Sequence, residues 1–572
     1  MRCCEASAIV WLVIAGTATA SLASGGAGAG DASTNAMLVV GDNGALHIDL
    51  DDNKPVFVNG VDVLGKLDTL AAQVQALAAE NAVLAATINP YPTLVAANPP
   101  GLDITVDVDD IAMSNKGLTT FSFGTVPFWI RGDINLNSNS DLTLIDFGRI
   151  TSVGGHIDLR FTPALTSIAF ANIRFIGGDV SLVESGLSHI DFGALTHIAG
   201  SISFAENHAL TVLDFGNVQS IKGSIACENN ALTSISFGNL THVRGSISLQ
   251  QTAITALDFG RLQRVGPVTF AGNPATEHFL TEVHFRGLKQ VGPLSLHDNH
   301  LTSIDFAQIT KAGNINLRQN KLTRISFGAL REVENVDVGV NQLTTIDLAG
   351  ITTLDSLNAH SNPQLREISF GAVHSAVDTV LATNTQLTRI DFGSVTSLNK
   401  IALGSNSNLT SVHFGMITHV ADGVALHHCA LRSANFSELV SVQNGLDLSF
   451  NDLTALSLGK LSSVTDYLDL SNNRLHEVDF AALERVDGEV ALRNNDLAFL
   501  NLSRISSIAG PLELSNNLLT GVDFGALTQV MDLINLKNNQ LVSLDCNGVS
   551  ASCICVDANV TLTKCPSKCT AC

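Results

Sequence analysis

At 572 residues the chain is longer than one compact core usually supports, so it is built either of several domains or as a solenoid. Charged residues make up only 15% of it, yet the formal net charge is −22. That balance disfavours nucleic acid and anionic membrane surfaces as partners, because both need clustered Lys and Arg.

In chain order, residues 1–20 read as a secretory signal peptide: an apolar stretch near Ala8–Ala15 is followed by Ala18-Thr19-Ala20, an A-x-A cleavage pattern. No other stretch is long enough for a membrane span, and no hydrophobic tail follows the last cysteine, so no span and no lipid anchor are expected. Residues 21–36 are a flexible Gly/Ala/Ser linker. Residues 37–60 predict a small β-hairpin, with a turn signal at Asp42-Asn43-Gly44. Residues 61–89 predict a short coiled-coil helix whose seam is Val63, Leu67, Leu70, Val74, Leu77, Asn81, Leu84 and Ile88. β-Branched residues and one Asn at a positions, with Leu at d, suit a parallel homodimer through residues 63–88. A trimer, and a lone amphipathic helix packed on the first repeat, are the alternatives. Residues 90–103 are a Pro-rich spacer.

From residue 104 a repeat takes over. The triplet Asp-Phe-Gly occurs at Asp146, Asp191, Asp214, Asp258, Asp391 and Asp523. In a kinase that triplet holds one magnesium, alongside a Gly-rich loop, a strand lysine and a catalytic loop. So many copies without that company argue for architecture. The phenylalanine column runs from Phe123 to Phe524, mostly in steps of 22 residues, with Leu348, Leu458 and Leu502 as substitutes. A period of this size with regular apolar positions marks a solenoid.

The working pattern is F-G-x-L-x-x-V-x-G-x-I-x-L-x-x-N-x-L-T-x-I-D, as in "LGKLSSVTDYLDLSNNRLHEVD" from Leu458. Its L-x-L-x-x-N-x-L core resembles the leucine-rich repeat family, and the V-x-G-x-I/L-x-L variant is similar to receptor L-domains. The resemblance implies an α/β-type solenoid dominated by β: an arc of about nineteen repeats with one parallel sheet on the concave face, over residues 104–545. With parallel strands about 4.8 Å apart, the arc would run roughly 90 Å.

Three columns carry the physical argument. Alternating apolar pairs such as Ile315 and Leu317 make a short strand with one buried face, which only stacking can cover. The recurrent Asn, as at Asn299, Asn320, Asn451 and Asn473, turns the chain inward and needs backbone partners for its amide. The Asp, Ser or Asn before each Phe is expected to cap a short helical turn on the convex side. A calcium-binding aspartate ladder is disfavoured by the neutral residues between the acids. Cys429 stands in an Asn position; with adjacent His427 and His428 it lacks zinc-ligand spacing. No cofactor is expected. Scattered histidines and the lack of any triad or phosphate-cradling loop argue against an enzyme.

Residues 546–572 read as a Cys-rich C-terminal cap. Cys546, Cys553, Cys555, Cys565, Cys569 and Cys572 are disulfide candidates whose pairing the sequence leaves open. Cys227 reads as a core thiol. Glycosylation sequons begin at Asn239, Asn408, Asn435, Asn501 and Asn559. Arg131-Gly132-Asp133 spells an adhesion tripeptide, but it aligns with a turn entering a strand. Exposed positions on the concave face include Asp158, Asn316, Asp337, Asn358, Asp447, Asp469, Glu513 and Asn535. That column lacks the Trp, Tyr and Arg that usually anchor tight interfaces, so weak multivalent contacts, or binding at the rim or ends, are expected. Two readings remain: a secreted, non-enzymatic recognition or adhesion protein for an unidentified protein or glycan ligand, or a structural component of an extracellular matrix or cell wall.

Overall fold

The computed structural model describes the strands Met37–Val40, Leu46–Asp49, Phe57–Val58 and Val61–Asp62, and then residues 106–569 apart from 125–127, 273–277, 375–376 and 384. The chain divides into two units, Met1–Thr93 and Leu94–Cys572.

In the first unit Met37–Val40 pairs antiparallel with Leu46–Asp49 around the Asp-Asn-Gly signal. A second antiparallel pair joins Phe57–Val58 to Val61–Asp62, so strand reaches two residues past position 60. The proposed seam and its dimer lie outside the described residues beyond that point, and so do the signal peptide, the linker and the spacer.

The second unit is a parallel β-solenoid with a period near 22 residues and no helix among the described residues. Each turn carries up to three short strands, as in His197–Ile198, Ile202–Ser203 and Val212–Asp214. Each stacks in register on the next turn: His197 on Ser220, Ile202 on Ile225, Val212 on Ser234. The strands are short because the chain turns a corner after each. The three strands of this turn each send an apolar residue inward (Ile198, Ile202, Leu213) and leave its neighbour less buried.

The middle strand of each turn forms the I-x-L ladder, which runs by successive parallel pairings from Ile111–Ala112 to Ile554–Cys555. Ahead of it runs a flank ladder of ten strands, from Val106–Val108 to Lys311–Ala312. After an interval of isolated bridges at Glu332 and Thr353, the six-residue strand Ser397–Ala402 spans both positions and joins flank and I-x-L strands into one sheet. The third, or Asp, ladder holds the strands ending at the Asp-Phe-Gly triplets.

Inside, the phenylalanines stack. From Phe123 through Phe327 consecutive rings lie 5.2–6.2 Å apart and nearly parallel. Rings at that separation add offset-stacking energy to their burial. Phe370, Phe392, Phe414 and Phe436 form a second stack beyond the Leu348 interruption.

The Asp column does not cap helices. Asp214 Oδ1 accepts the backbone N–H of Gly216 at 3.1 Å, and Val218 N–H closes a turn on Phe215 C=O at 3.0 Å. This is a side-chain-to-backbone turn on the outside of the solenoid. A helix cannot start there because Gly216 has φ +49°. Ala171 and Ala307 take the same left-handed conformation, at φ 47° and 45°. The glycine is therefore favoured for its backbone angle.

In the Cys-rich segment Ser543–Asp545 pairs with Thr561–Thr563, and Ile554–Cys555 extends the I-x-L ladder, so the parallel stacking continues there.

Candidate recognition surface

Every turn first has to satisfy its buried amides. Asn473 Nδ2 donates to Leu448 and Leu470 C=O, each at 3.0 Å, and its Oδ1 accepts Leu453 N–H at 3.1 Å. Asn451, Asn495, Asn517 and Asn539 repeat that set. Asn299, Asn320, Asn341 and Asn362 do the same in earlier turns. Thr162, Ser185, Thr252 and Thr385 hold the position elsewhere and are likewise buried. At Cys429 the thiol lies 3.4 Å from Leu403 C=O, and burial pushes its pKa up to about 11. Cys227 is fully buried, and burial raises its thiol further. Neither is a nucleophile at neutral pH.

The residues assigned to the concave face sit on the I-x-L ladder, and most of them are occupied. Asp337 Oδ1 accepts Gly339 N–H at 2.9 Å, Asp469 Oδ1 accepts Ser471 N–H at 2.8 Å, and Asp447 Oδ1 accepts both Ser449 N–H and its hydroxyl. Asn316, Asn358 and Asn535 accept the same kind of bond from Arg318, His360 and Lys537. Their first task is to fasten the turn that follows the strand. The signal was available: each stands two residues before the N–H it accepts, the Asx-turn spacing.

Two members have shifted acidity. Burial works against the charge of Asp158, but hydrogen bonds from Arg160 and Asn137 and the Arg160 charge hold its carboxyl below the usual range. Burial raises Glu513, and the negative charges of Glu489 and Asp532 add to it against the Asn535 hydrogen bond and the Arg493 charge.

Among the sequons, Asn408 and Asn559 are exposed. Asn435 and Asn501 are exposed but use Oδ1 to hold Ser437 and Ser503 N–H at 2.9 Å. Asn239 is half-buried and accepts from Arg261 at 3.2 Å. The Arg131-Gly132-Asp133 tripeptide enters the strand Ile134–Asn135, and Asp133 Oδ1 holds His156 N–H of the next turn at 2.7 Å. Its carboxylate is thus already engaged.

At the C-terminal end Cys546 pairs with Cys565 and Cys553 with Cys569; Cys555 is also disulfide-bonded. Cys572 lies outside the described residues. The first two bridges tie the last turns of two ladders to the strand and loop that follow. Among the described residues no helix is long and apolar enough to cross a membrane.

Stacked parallel ladders, a period near 22 residues and an asparagine after most I-x-L strands define a leucine-rich-repeat solenoid. No protein-family model matches the chain, and no curated protein does. Among solved structures it is similar to the functional domain of InlJ from Listeria monocytogenes, described as including a cysteine ladder, at 14% identity over 60% of this chain and 69% of that one, TM-score 0.26. It is also similar to the APL1 leucine-rich repeat domain (16% identity, 73% and 88% coverage, TM-score 0.23) and to YopM from Yersinia enterocolitica WA-314 (13%, 75% and 90%, 0.26). The repeat class rests on the ladders and their spacing; these superpositions carry no further argument.

Proposed function

We propose that the chain is a secreted, non-enzymatic recognition protein that presents a long repeat surface to an extracellular protein or glycan. The observation that supports it most is the division of labour among its polar residues. The Asn column and the Asp column are spent on holding turns together, which leaves a rigid array of outward positions that vary from turn to turn. Rigid, variable, repeated positions suit recognition, because little ordering entropy is lost on binding. Disulfide-bonded tail cysteines fit an oxidising compartment.

A structural matrix or cell-wall role is the second reading, favoured by the commitment of the I-x-L acids to turns. Cross-linking of the native protein in place, followed by identification of the attached partner, separates the two. A discrete soluble partner supports recognition. Recovery only with the insoluble wall or matrix fraction, without a discrete partner, supports the structural role. Recovery from cytosol with the tail cysteines reduced overturns secretion.

A further inference from the structure

The flank ladder gathers what the sequence scatters. After Asp107, which is in register with Trp129, the ladder's outward column runs turn by turn through Trp129, Ser152, Phe175, His197, Ser220, His242, Arg264, Gln290 and Lys311. Each of these outward residues precedes an inward apolar residue, and the position beyond that residue also faces out. That adds Lys222 and Arg244, while Arg174 and Lys289 stand just ahead of their strands; all four are exposed. In the flank segments 174–177, 196–199, 219–222, 241–244, 263–266, 289–292 and 310–313 there is no Asp or Glu. The chain as a whole has 53 acidic residues against 31 basic ones. Chance alone would put acids here.

Lys311 is paired, with Glu332 at 2.7 Å. Among the described residues Arg174, Lys222, Arg244, Arg264 and Lys289 have neither an ion pair nor a side-chain hydrogen bond. Cations on successive turns about 4.8 Å apart, as Lys222 and Arg244 are, repel one another unless an anion lies along them. Near physiological salt the Debye length is about 8 Å, so this row feels its own charges more than the acidity of other faces.

We propose that the flank ladder, from Arg174 to Lys311, binds a linear polysaccharide bearing sulfate or carboxylate groups. The inference rests on the recognition reading above and names its surface and ligand class. Cations on six of seven successive turns fit an extended polymer better than a compact ion. Arg side chains fork onto sulfate and carboxylate oxygens. Trp129 and Phe175, at one end of the same column, offer flat apolar area for sugar rings. Single-stranded nucleic acid is less suited, because base stacking needs aromatics interleaved with the cations. A lipid surface is less suited, because between His197 and Lys311 the apolar residues of this ladder point inward.

The test uses the full chain with immobilised dextran sulfate and polygalacturonate, and with neutral dextran, single-stranded DNA and phosphatidylserine vesicles as contrasts. Binding to at least one of the two anionic polysaccharides is expected, weakening steeply with salt and absent on neutral dextran. The triple variant R244E/R264E/K289E should lose about tenfold or more in affinity. R485E, on the same ladder in later turns but tied to Asp487, should lose little. The substituted residues are exposed, so an unchanged thermal transition will show that the triple variant is folded. No binding to either polyanion, binding indifferent to the triple variant, or tighter triple-sensitive binding to DNA or vesicles overturns the proposal. A chain that still cross-links a native partner while ignoring polyanions breaks this inference and leaves the recognition reading standing.

Discussion

From Phe123 to Phe327 the ring stack is unbroken while Thr162, Ser185 and Thr252 interrupt the asparagine column; from Asn451 to Asn539 the asparagines are unbroken while Leu458 and Leu502 interrupt the rings. The residue ahead of this buried polar position differs too. Ahead of Asn473, Asn495, Asn517 and Asn539 it is Asn472, Asn494, Asn516 and Asn538 at φ 56–58°, a residue that tolerates the left-handed region. Ahead of Thr162, Ser185 and Thr252 in the earlier turns, Phe161, Glu184 and Gln251 are held there, at φ 59°, 51° and 57°. The flank is a separate cationic sheet in the earlier turns and is joined to the I-x-L sheet, mostly serine and threonine, in the later ones. One continuous internal ladder therefore suffices to hold the turn, and the flank is then free to diverge.

The comparison can be broken at its strongest point. Phe215→Ala should cost about 3–5 kcal/mol, and Phe215→Leu under about 1.5, since Leu already serves at Leu458 and Leu502. Amide hydrogen exchange in the turns around residue 215 measures both; equal losses would refute the stack as the support of the earlier turns. Reduction acts on the other region: loss of Cys546–Cys565 and Cys553–Cys569 should remove about 2–4 kcal/mol locally. Exchange should then accelerate in residues 529–569 and leave residues 152–312 unchanged. Uniform acceleration would contradict that.

Asn473→Ala should destabilise its turn by about 1–3 kcal/mol more than Thr252→Ala does. It orphans buried carbonyls and the Leu453 N–H, whereas the Thr252 hydroxyl makes one bond, to Leu249 C=O. Denaturant titration with local exchange resolves the pair. Asp214→Ala should cost about 1 kcal/mol, and Asp214→Asn almost nothing, because an amide oxygen accepts the same Gly216 N–H. Magnesium or nucleotide should shift the thermal transition of neither wild type nor variant.

The smallest effect concerns pH. The folded pKa of Asp158 lies below its unfolded value. Its stabilisation is therefore present above the unfolded carboxyl pKa and is lost as pH falls through the folded one. Asp158→Asn should flatten that acid-side slope in the turns around Arg160; an unchanged slope would show that the Arg160 pairing contributes nothing.

The period, the inward columns and the Asn positions were legible because each is a short-range apolar or turn signal repeated many times. The helical turn was misjudged because Asp, Ser and Asn serve helix starts and Asx turns alike; Ala307 at φ 45° decides between them only in three dimensions. The flank cations were invisible for another reason. Arg244, Arg264 and Lys289 are 20 and 25 residues apart in sequence yet on successive turns of the flank. Stacking converts a dispersed composition into a local one, so sequence spacing alone does not reveal such a surface.

The asparagine column also points one way along the chain. Leu453 N–H is accepted by Asn473, and Leu475 N–H by Asn495, so where the column holds asparagine a turn's donor is satisfied by the turn that follows it. During synthesis the newest turn always waits for residues not yet made. The wait ends at Asp557, whose two carboxylate oxygens accept Asn538 and Asn539 N–H at 3.2 and 3.3 Å. Asn494 and Asn516 give the matching N–H to backbone carbonyls of the next turn. One acidic side chain thus acts as the stop signal of a structure otherwise written to continue.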